Sequence, residues 1–387
     1  MRQIQTATAA RRTAVSSVAF ERYRSLRDVK LGLRGLNVLI GPNASGKSSV
    51  LDGLKLLHEA AVDRDFSESV HTRGGIIHLA WKGEDASFVR LRIEVSTGAG
   101  TFQWSVRLQR KEWGFLVHEE VHEVRRDRPP TKILDANDGK GWWWSSDSKK
   151  VQLRQEATAC ALAAASADAS FPARDVFDFV RSWGFYDPSP ILLRRAASDL
   201  EPSHLDTDGR NLAARLSTLR GLENGTFNRI LDATRAILGM PADVDFRESE
   251  GRVYFVQTET GLKYPVHQVG ASSGTLRILA LMTALLGEGV GSLVGIEEPE
   301  NYVHPAGLAA FAEHLLKARD RAQILITTHS PLLLDFLDDP EAVCVVRRDP
   351  EKGTVIVREQ RPEAVREALE ASGFRLGELH QTKGFGA

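Results

Sequence analysis

An α/β fold, its parallel core split by a long insertion, is predicted by three features of the sequence. A glycine-rich loop, Gly41-Pro42-Asn43-Ala44-Ser45-Gly46-Lys47-Ser48, sits between an apolar run and a helix-like pattern. The last third of the chain alternates helix-like and strand-like segments, the rhythm of a parallel sheet with crossover helices. Between these two parts lies sequence of a different period, part strand and part helix.

Taken in order, Met1 to Ser17 holds Arg2, Arg11 and Arg12 but no apolar core, which makes it a poor signal peptide. A flexible N-terminal tail is expected over 1–17. Leu36-Asn37-Val38-Leu39-Ile40 has the composition of a buried strand, and Lys47 to about Ala61 that of a helix with Val50, Leu51, Leu54 and Leu57 on one side. Strict alternation in Phe88–Val95 and Phe102–Leu108 predicts half-buried antiparallel strands. A polar stretch follows from Arg125 to Lys150, with Pro129-Pro130 and the run Trp142-Trp143-Trp144. Those tryptophans fit either packing in an inserted lobe or an exposed aromatic contact. An alanine-rich helix is expected over about Glu156–Ala167, further helix from Asn211 to Leu238, and renewed alternation over residues 243–268.

The final third predicts helix Leu276–Leu286, strand Ser292–Ile296, helix Ala306–Ala318, strand Gln323–Thr327, helix Leu332–Leu337 and strand Ala342–Val346. The expected organisation is thus 18–125 as the first part of the core with an antiparallel lobe, 126–240 as an inserted variable or helical lobe, and 241–387 as the second part of the core.

Composition narrows the class. The 387 residues are 42% hydrophobic and 26% charged, ordinary for a globular protein. No apolar run is long enough to span a membrane. Two cysteines, Cys160 and Cys344, build no disulfide framework and no cysteine zinc site, and point to a reducing cytoplasm. A net charge of −1 gives no global drive toward nucleic acid. Local basic clusters such as Arg22, Arg24 and Arg27, or Arg125, Arg126 and Arg128, are mostly interleaved with acids and fit solvated faces or a DNA-facing groove.

The chemistry-bearing residues follow from the loop. Strand, glycine loop and helix in that order let backbone N–H groups close around phosphates, aided by the helix N-terminus. Lys47 can reach the β- and γ-phosphates, and the Ser48 hydroxyl can hold Mg²⁺. The run Leu293-Val294-Gly295-Ile296 ends in Glu297-Glu298. Carboxylates at the end of a buried parallel strand lie where open α/β sheets bind ligands. Glu297 can hold Mg²⁺ and Glu298 can act as general base for an attacking water. Ile324-Leu325-Ile326-Thr327 leads to Thr328-His329-Ser330-Pro331, which places His329 to contact a γ-phosphate. Gly270-Ala271-Ser272-Ser273-Gly274-Thr275 precedes a helix and fits either an anion pocket or a simple N-cap. Asp206-Thr207-Asp208 is a D-x-D of the kind found at nuclease metal sites, but no partner acid ends a strand at a suitable distance.

The order of these motifs resembles the ABC-type ATPases of the SMC, RecF and OLD branch, and more narrowly a bacterial AAA-type ATPase family within it. Phe20-Glu21-Arg22-Tyr23-Arg24-Ser25-Leu26, the element Asp208-Gly209-Arg210-Asn211-Leu212-Ala213 and the ending Phe374-Arg375-Leu376-Gly377-Glu378-Leu379 are similar to family signatures. The resemblance implies a P-loop NTPase with an ABC-type ATPase head, split by an inserted mixed β/helical lobe. Gly41, Pro42, Asn43, Ala44, Ser45, Gly46, Lys47, Ser48 and Ser49 would form the Walker A loop. Ser272 and Gly274 would be the signature that completes an ATP site in a partner subunit. Glu297 would be the Walker B acid, Glu298 the catalytic base and His329 the switch histidine. ATP and Mg²⁺ would be the cofactors. An ATP-bridged homodimer would gate a separate effector protein or DNA, with no membrane involved, in DNA repair or anti-phage defence.

The signature reads Ser-Ser-Gly where the family pattern is Ser-Gly-Gly, the magnesium acid is Glu where Asp is commoner, and no glutamine is assigned to a Q-loop. Glu300 and His304 also fit the family pattern, without a role. A transporter ATPase subunit, or a nucleotide switch with little hydrolysis, are the alternatives.

Overall fold

The computed structural model describes residues 13–84, 87–198, 202–239, 242–287, 291–358 and 362–382. Two compact units emerge: Met1–Leu33 with Asp52–Arg181 and Asp349–Thr354, and Arg34–Leu51 with Ser182–Arg348 and Val355–Ala387. It is an α/β P-loop ATPase-type fold.

The second unit carries the parallel strands. Gly184–Tyr186, Leu293–Glu297, Gln323–Thr328, Leu36–Ile40 and Val343–Asp349 are hydrogen-bonded in that order, all parallel. Every residue of Leu36–Ile40 and Gln323–Thr328 is buried, the pattern of strands covered on both faces. Register decides which residues meet at the sheet edge. Glu297 pairs with Thr327, and Thr328 pairs with Ile40, so the C-terminal ends of three neighbouring strands are level. The residues leaving those ends are Glu298, His329 and Gly41.

Helix Ser273–Leu286 is buried at every position from Thr275 to Leu285, so it runs through the core rather than along its surface. Leu276, Leu279, Met282 and Leu285 share one hydrophobic cluster with Val38, Ile296 and Ile326 of the strands. The helical pattern expected over Asn211–Leu238 is two helices, Leu212–Leu222 and Asn224–Leu238. The alternation near residues 243–268 is the antiparallel pair Ala242–Ser249 and Arg252–Glu259, followed by the short strand Val266–His267.

The first unit is an antiparallel sheet ordered Leu26–Gly32, Ala14–Tyr23, Phe88–Ser96, Thr101–Arg110, Phe115–Arg125, Arg128–Asn137, Lys140–Trp144 and Lys150–Arg154. Phe88–Ser96 alternates half-buried and buried residues without a break, as its sequence predicts.

Three expectations differ from the structure. Of the tail expected over 1–17, residues 1–12 lie outside the described residues, and strand Ala14–Tyr23 takes up 14–17 because Val15 and Val18 point into the core. No break falls at 125–126: strand Arg128–Asn137 pairs with Phe115–Arg125, and the compact unit continues to Arg181. Polar residues masked these strands because one sheet face is solvated. The helix expected over Glu156–Ala167 shrinks to Ala161–Ala165. Of the tryptophan run, Trp143 is buried and meets Phe171 edge-on at 5.4 Å, while Trp142 and Trp144 pack on each other at 6.1 Å, so the middle residue serves packing.

Candidate functional site

The level strand ends of the second unit gather the expected residues. Strand Leu36–Ile40 delivers the glycine loop, and helix Lys47–Asp63 begins directly after it. Two loop glycines are required by geometry. Gly46 has φ +110°, a backbone region that disfavours side chains. A Cβ on Gly41 would lie 2.0 Å from the Val346 carbonyl oxygen. Pro42, Asn43 and Ala44 are exposed at the tip, and Ala44 also has positive φ.

Lys47 is buried under its own loop. Its Nζ donates to the carbonyls of Gly41 (2.9 Å) and Pro42 (3.1 Å), and lies 3.0 Å from His329 Nε2. Burial lowers the Lys47 pKa, and the carboxylates Glu298, Glu300 and Glu297 work in the opposite direction. Ser48 Oγ donates to Glu297 Oε2 at 2.8 Å.

Glu298 follows the strand with φ +41°, an unfavourable conformation for a side-chain-bearing residue. Its amide donates to the Thr327 carbonyl at 3.0 Å, which fixes the turn. Its Oε1 lies 3.0 Å from His329 Nε2, and its Oε2 accepts from Asn301 Nδ2 at 2.8 Å. His329 therefore stands between a lysine and a glutamate. Which of them its Nε2 serves depends on whether that nitrogen carries the proton.

Lys47, His329 and Glu298 are thus joined by direct contacts, and Ser48 and Glu297 by another beside them. Ser272 and Gly274 stand apart from that group. The Ser272 hydroxyl accepts from Thr275 N at 3.0 Å, so in this structure it serves as an N-cap. Gly274 is needed because a Cβ there would meet the Tyr302 carbonyl oxygen at 2.6 Å.

Two arginines hold the site's segments although the sequence gives them no role there: Arg194 reads only as part of a basic cluster with Arg195, and Arg277 is not singled out. Arg194 donates to the carbonyls of Val269 (3.2 Å) and Ala271 (3.1 Å) and to Ser273 Oγ (3.1 Å), fixing the segment before the helix. Arg277 is buried inside that helix and donates to the backbone carbonyls of Pro188 (2.6 Å), Glu297 (2.8 Å) and Glu298 (3.0 Å). It ties the Ser272–Gly274 helix to the backbone of the two glutamates. The available signal was an arginine in the otherwise apolar run Thr275–Leu286.

A cavity of about 720 Å³ opens beside the loop, lined by Gly41, Pro42, His329, Val346, Arg347 and His380 among others. Elsewhere, in the first unit, ligand atoms of His118, Glu120 and Asp135 lie within 4.8 Å of one another. Lys132 bonds both carboxylates there, 2.9 Å from Asp135 Oδ2, and supplies the positive charge an ion would bring. Asp208 of the D-x-D is held by Arg210, whose Nε lies 2.9 Å from Oδ2.

A phosphate-type loop, an acidic strand end and a histidine strand end lie together on one parallel sheet of a P-loop ATPase-type fold. Residues 36–335 match the family described as "AAA domain, putative AbiEii toxin, Type IV TA system", and the chain belongs to that family. An OLD nuclease of Thermus scotoductus is 32% identical over 125 residues, covering 31% of this chain and 23% of that protein. A DNA double-strand break repair Rad50 ATPase of Methanopyrus kandleri is 28% identical over 119 residues, covering 29% of this chain and 13% of that protein. The matches thus span less than a quarter of either relative. An SMC head bound to the C-winged helix domain of ScpA shares the fold with a TM-score of 0.54 at 10% identity, covering 91% of this chain and 99% of the other. An Smc head with an extended coiled coil, bound to the C-terminal domain of ScpA derived from Pyrococcus furiosus, matches at 0.53 and 11% identity, covering 93% and 100%. Among the described residues no helix is long and apolar enough to cross a membrane.

Proposed function

We propose that the chain binds and hydrolyses ATP at the loop Gly41–Ser49, and that ATP joins two copies head to tail to gate an effector protein or DNA. The observation carrying this reading is the contact chain Lys47–His329–Glu298 beside the pair Ser48–Glu297, all at level strand ends.

The exposed loop tip and the start of helix Lys47–Asp63 would offer backbone N–H groups to the phosphates. Lys47 exchanges its bonds to the Gly41 and Pro42 carbonyls for phosphate oxygens. The oxygens of Ser48 and Glu297 suit a hard cation and would hold Mg²⁺, which when bound neutralises phosphate charge. Glu298 takes the proton of the attacking water, and its strained turn and Asn301 hold that carboxylate in place. His329 donates to the transferred phosphoryl group. One loop and one Ser272–Gly274 segment per chain call for a second copy, whose Ser272 and Gly274 would close the site. Hydrolysis then releases the pair.

Gating of DNA repair or of anti-phage defence draws on the names of the relatives: a nuclease, a break-repair ATPase and a toxin–antitoxin description. Two buried free thiols, Cys160 and Cys344, fit a reducing cytoplasm.

Sedimentation of wild type and Glu298→Gln, with and without ATP and Mg²⁺, tests the proposal. Glu298→Gln is expected to accumulate as an ATP-dependent dimer while wild type turns ATP over, and its own turnover is expected to fall about 10²–10⁴-fold. Unchanged mass in both proteins, with normal hydrolysis by Glu298→Gln, would remove the base and the composite site together.

A further inference from the structure

We propose that Glu300 is the positioning residue of this site, setting His329 between Lys47 and Glu298. The inference deepens the ATPase reading and rests on it for its kinetic readout. Glu300 Oε1 accepts two hydrogen bonds, from Thr328 Oγ1 at 2.7 Å and from the backbone N–H of His329 at 2.9 Å. Both donors sit where strand Gln323–Thr328 ends, so one carboxylate oxygen clamps the turn that aims the imidazole. Thr328 Oγ1 in turn accepts from Ser330 N at 2.9 Å, which extends the clamp across the whole turn into the next helix. The clamp fixes the His329 amide, and the two 3.0 Å contacts of the imidazole Nε2 depend on where that backbone is held.

The second carboxylate oxygen bears on the charge of the site rather than on the clamp. Oε2 is shielded from solvent and has no hydrogen-bond partner among the described residues. Shielding a carboxylate oxygen without a partner is costly. The compensation in view is electrostatic, since Glu300 is one of the three acids that favour the charged form of Lys47. His304, four residues on, has a different job: its Nδ1 accepts from Ala306 N at 3.2 Å and caps the short helix Pro305–Gly307.

The test is a double-mutant cycle of Glu300→Ala and His329→Ala, read as kcat and KM for ATP, with Glu300→Gln as the conservative variant. Glu300→Ala is expected to lower kcat about 10- to 100-fold with KM changed less than about threefold. It should add almost nothing on the His329→Ala background, because a positioning residue acts through the group it positions. Glu300→Gln keeps an acceptor oxygen and should recover most of the loss. Full additivity, or a Glu300→Gln loss as large as that of Glu300→Ala, overturns the positioning role. If wild type itself shows no turnover, the ATPase reading fails separately. The positioning role is then read from the His329 imidazole resonances, which must shift in Glu300→Ala and stay near wild type in Glu300→Gln; unmoved resonances overturn it.

Discussion

The two units handle buried charge in opposite ways. In the antiparallel unit several charges are closed off by fixed partners. Arg73 has a side chain only 7% exposed, and it donates to Asp52 Oδ1 at 2.8 Å, Glu59 Oε2 at 2.5 Å and the Ser69 carbonyl at 2.7 Å. Tyr23 donates to the other Asp52 oxygen. Lys132 is divided between Glu120 and Asp135. In the parallel unit, three carboxylates, one lysine and one histidine share a single edge, and one imidazole nitrogen faces both an ammonium and a carboxylate. Pairwise closure makes charges into struts. Shared, strained placement leaves them able to change partner, and that is what a site handling phosphate charge needs.

The contrast is tested hardest at the two buried cations. On the proposed reading Lys47→Met removes the cation that meets phosphate, and turnover should fall about 10²–10³-fold while the melting temperature barely moves or rises. The lysine's protein partners are two carbonyls and the His329 imidazole, neutral groups that can take water instead. Arg73→Met should do the reverse. It leaves Asp52 to Arg24 and Tyr23 and Glu59 to Lys55, without the buried cation that joins the two acids, at a cost of about 3 kcal/mol. Thermal unfolding reads that loss, and turnover per folded molecule should stay within about twofold of wild type. Were the two variants to exchange outcomes, the division between struts and site would be wrong.

Much of the site was legible because its signals are local. A strand, a glycine loop and a helix are contiguous in residues 36–61, and Glu297, Glu298 and His329 each end an apolar run. Their meeting was legible too, since parallel strands of similar length bring C-terminal ends level. The links across sequence were not. Arg277 bonds the carbonyls of Glu297 and Glu298, and Glu300 bonds the Thr328–His329 turn, contacts that no periodicity announces. The antiparallel sheet was legible only up to Arg125. Its next strands carry Arg128, Lys132, Asp135 and Lys140, which erase the apolar alternation; Arg128 and Lys132 pair with Glu123 and Glu120, and Lys132 also with Asp135. The tail boundary failed for a related reason: Val15 and Val18 are too few apolar residues to stand out beside alanines and serines.

Glu119 gives the mildest and most informative test of the contrast. It is fully enclosed in the antiparallel unit, with Trp104 Nε1 at 3.0 Å, Leu162 N at 3.3 Å and the Ala161 amide as donors, so it caps helix Ala161–Ala165. Burial pushes its pKa up from 4.5 to about 7, although those donors pull the other way. The native carboxyl therefore holds its proton where the unfolded chain has lost it. Stability from this group is complete below pH 4.5, declines as pH rises from there to about 7, and then levels off. The whole decline amounts to roughly 3 kcal/mol. Chemical denaturation across that window should show this slope in wild type, and Glu119→Gln should flatten it. A Glu119→Gln slope equal to wild type would mean that this charge is closed off no better than those at the strand ends. The same substitution should leave the pH dependence of turnover unchanged, because Glu119 belongs to the other unit and takes no part in the proposed site.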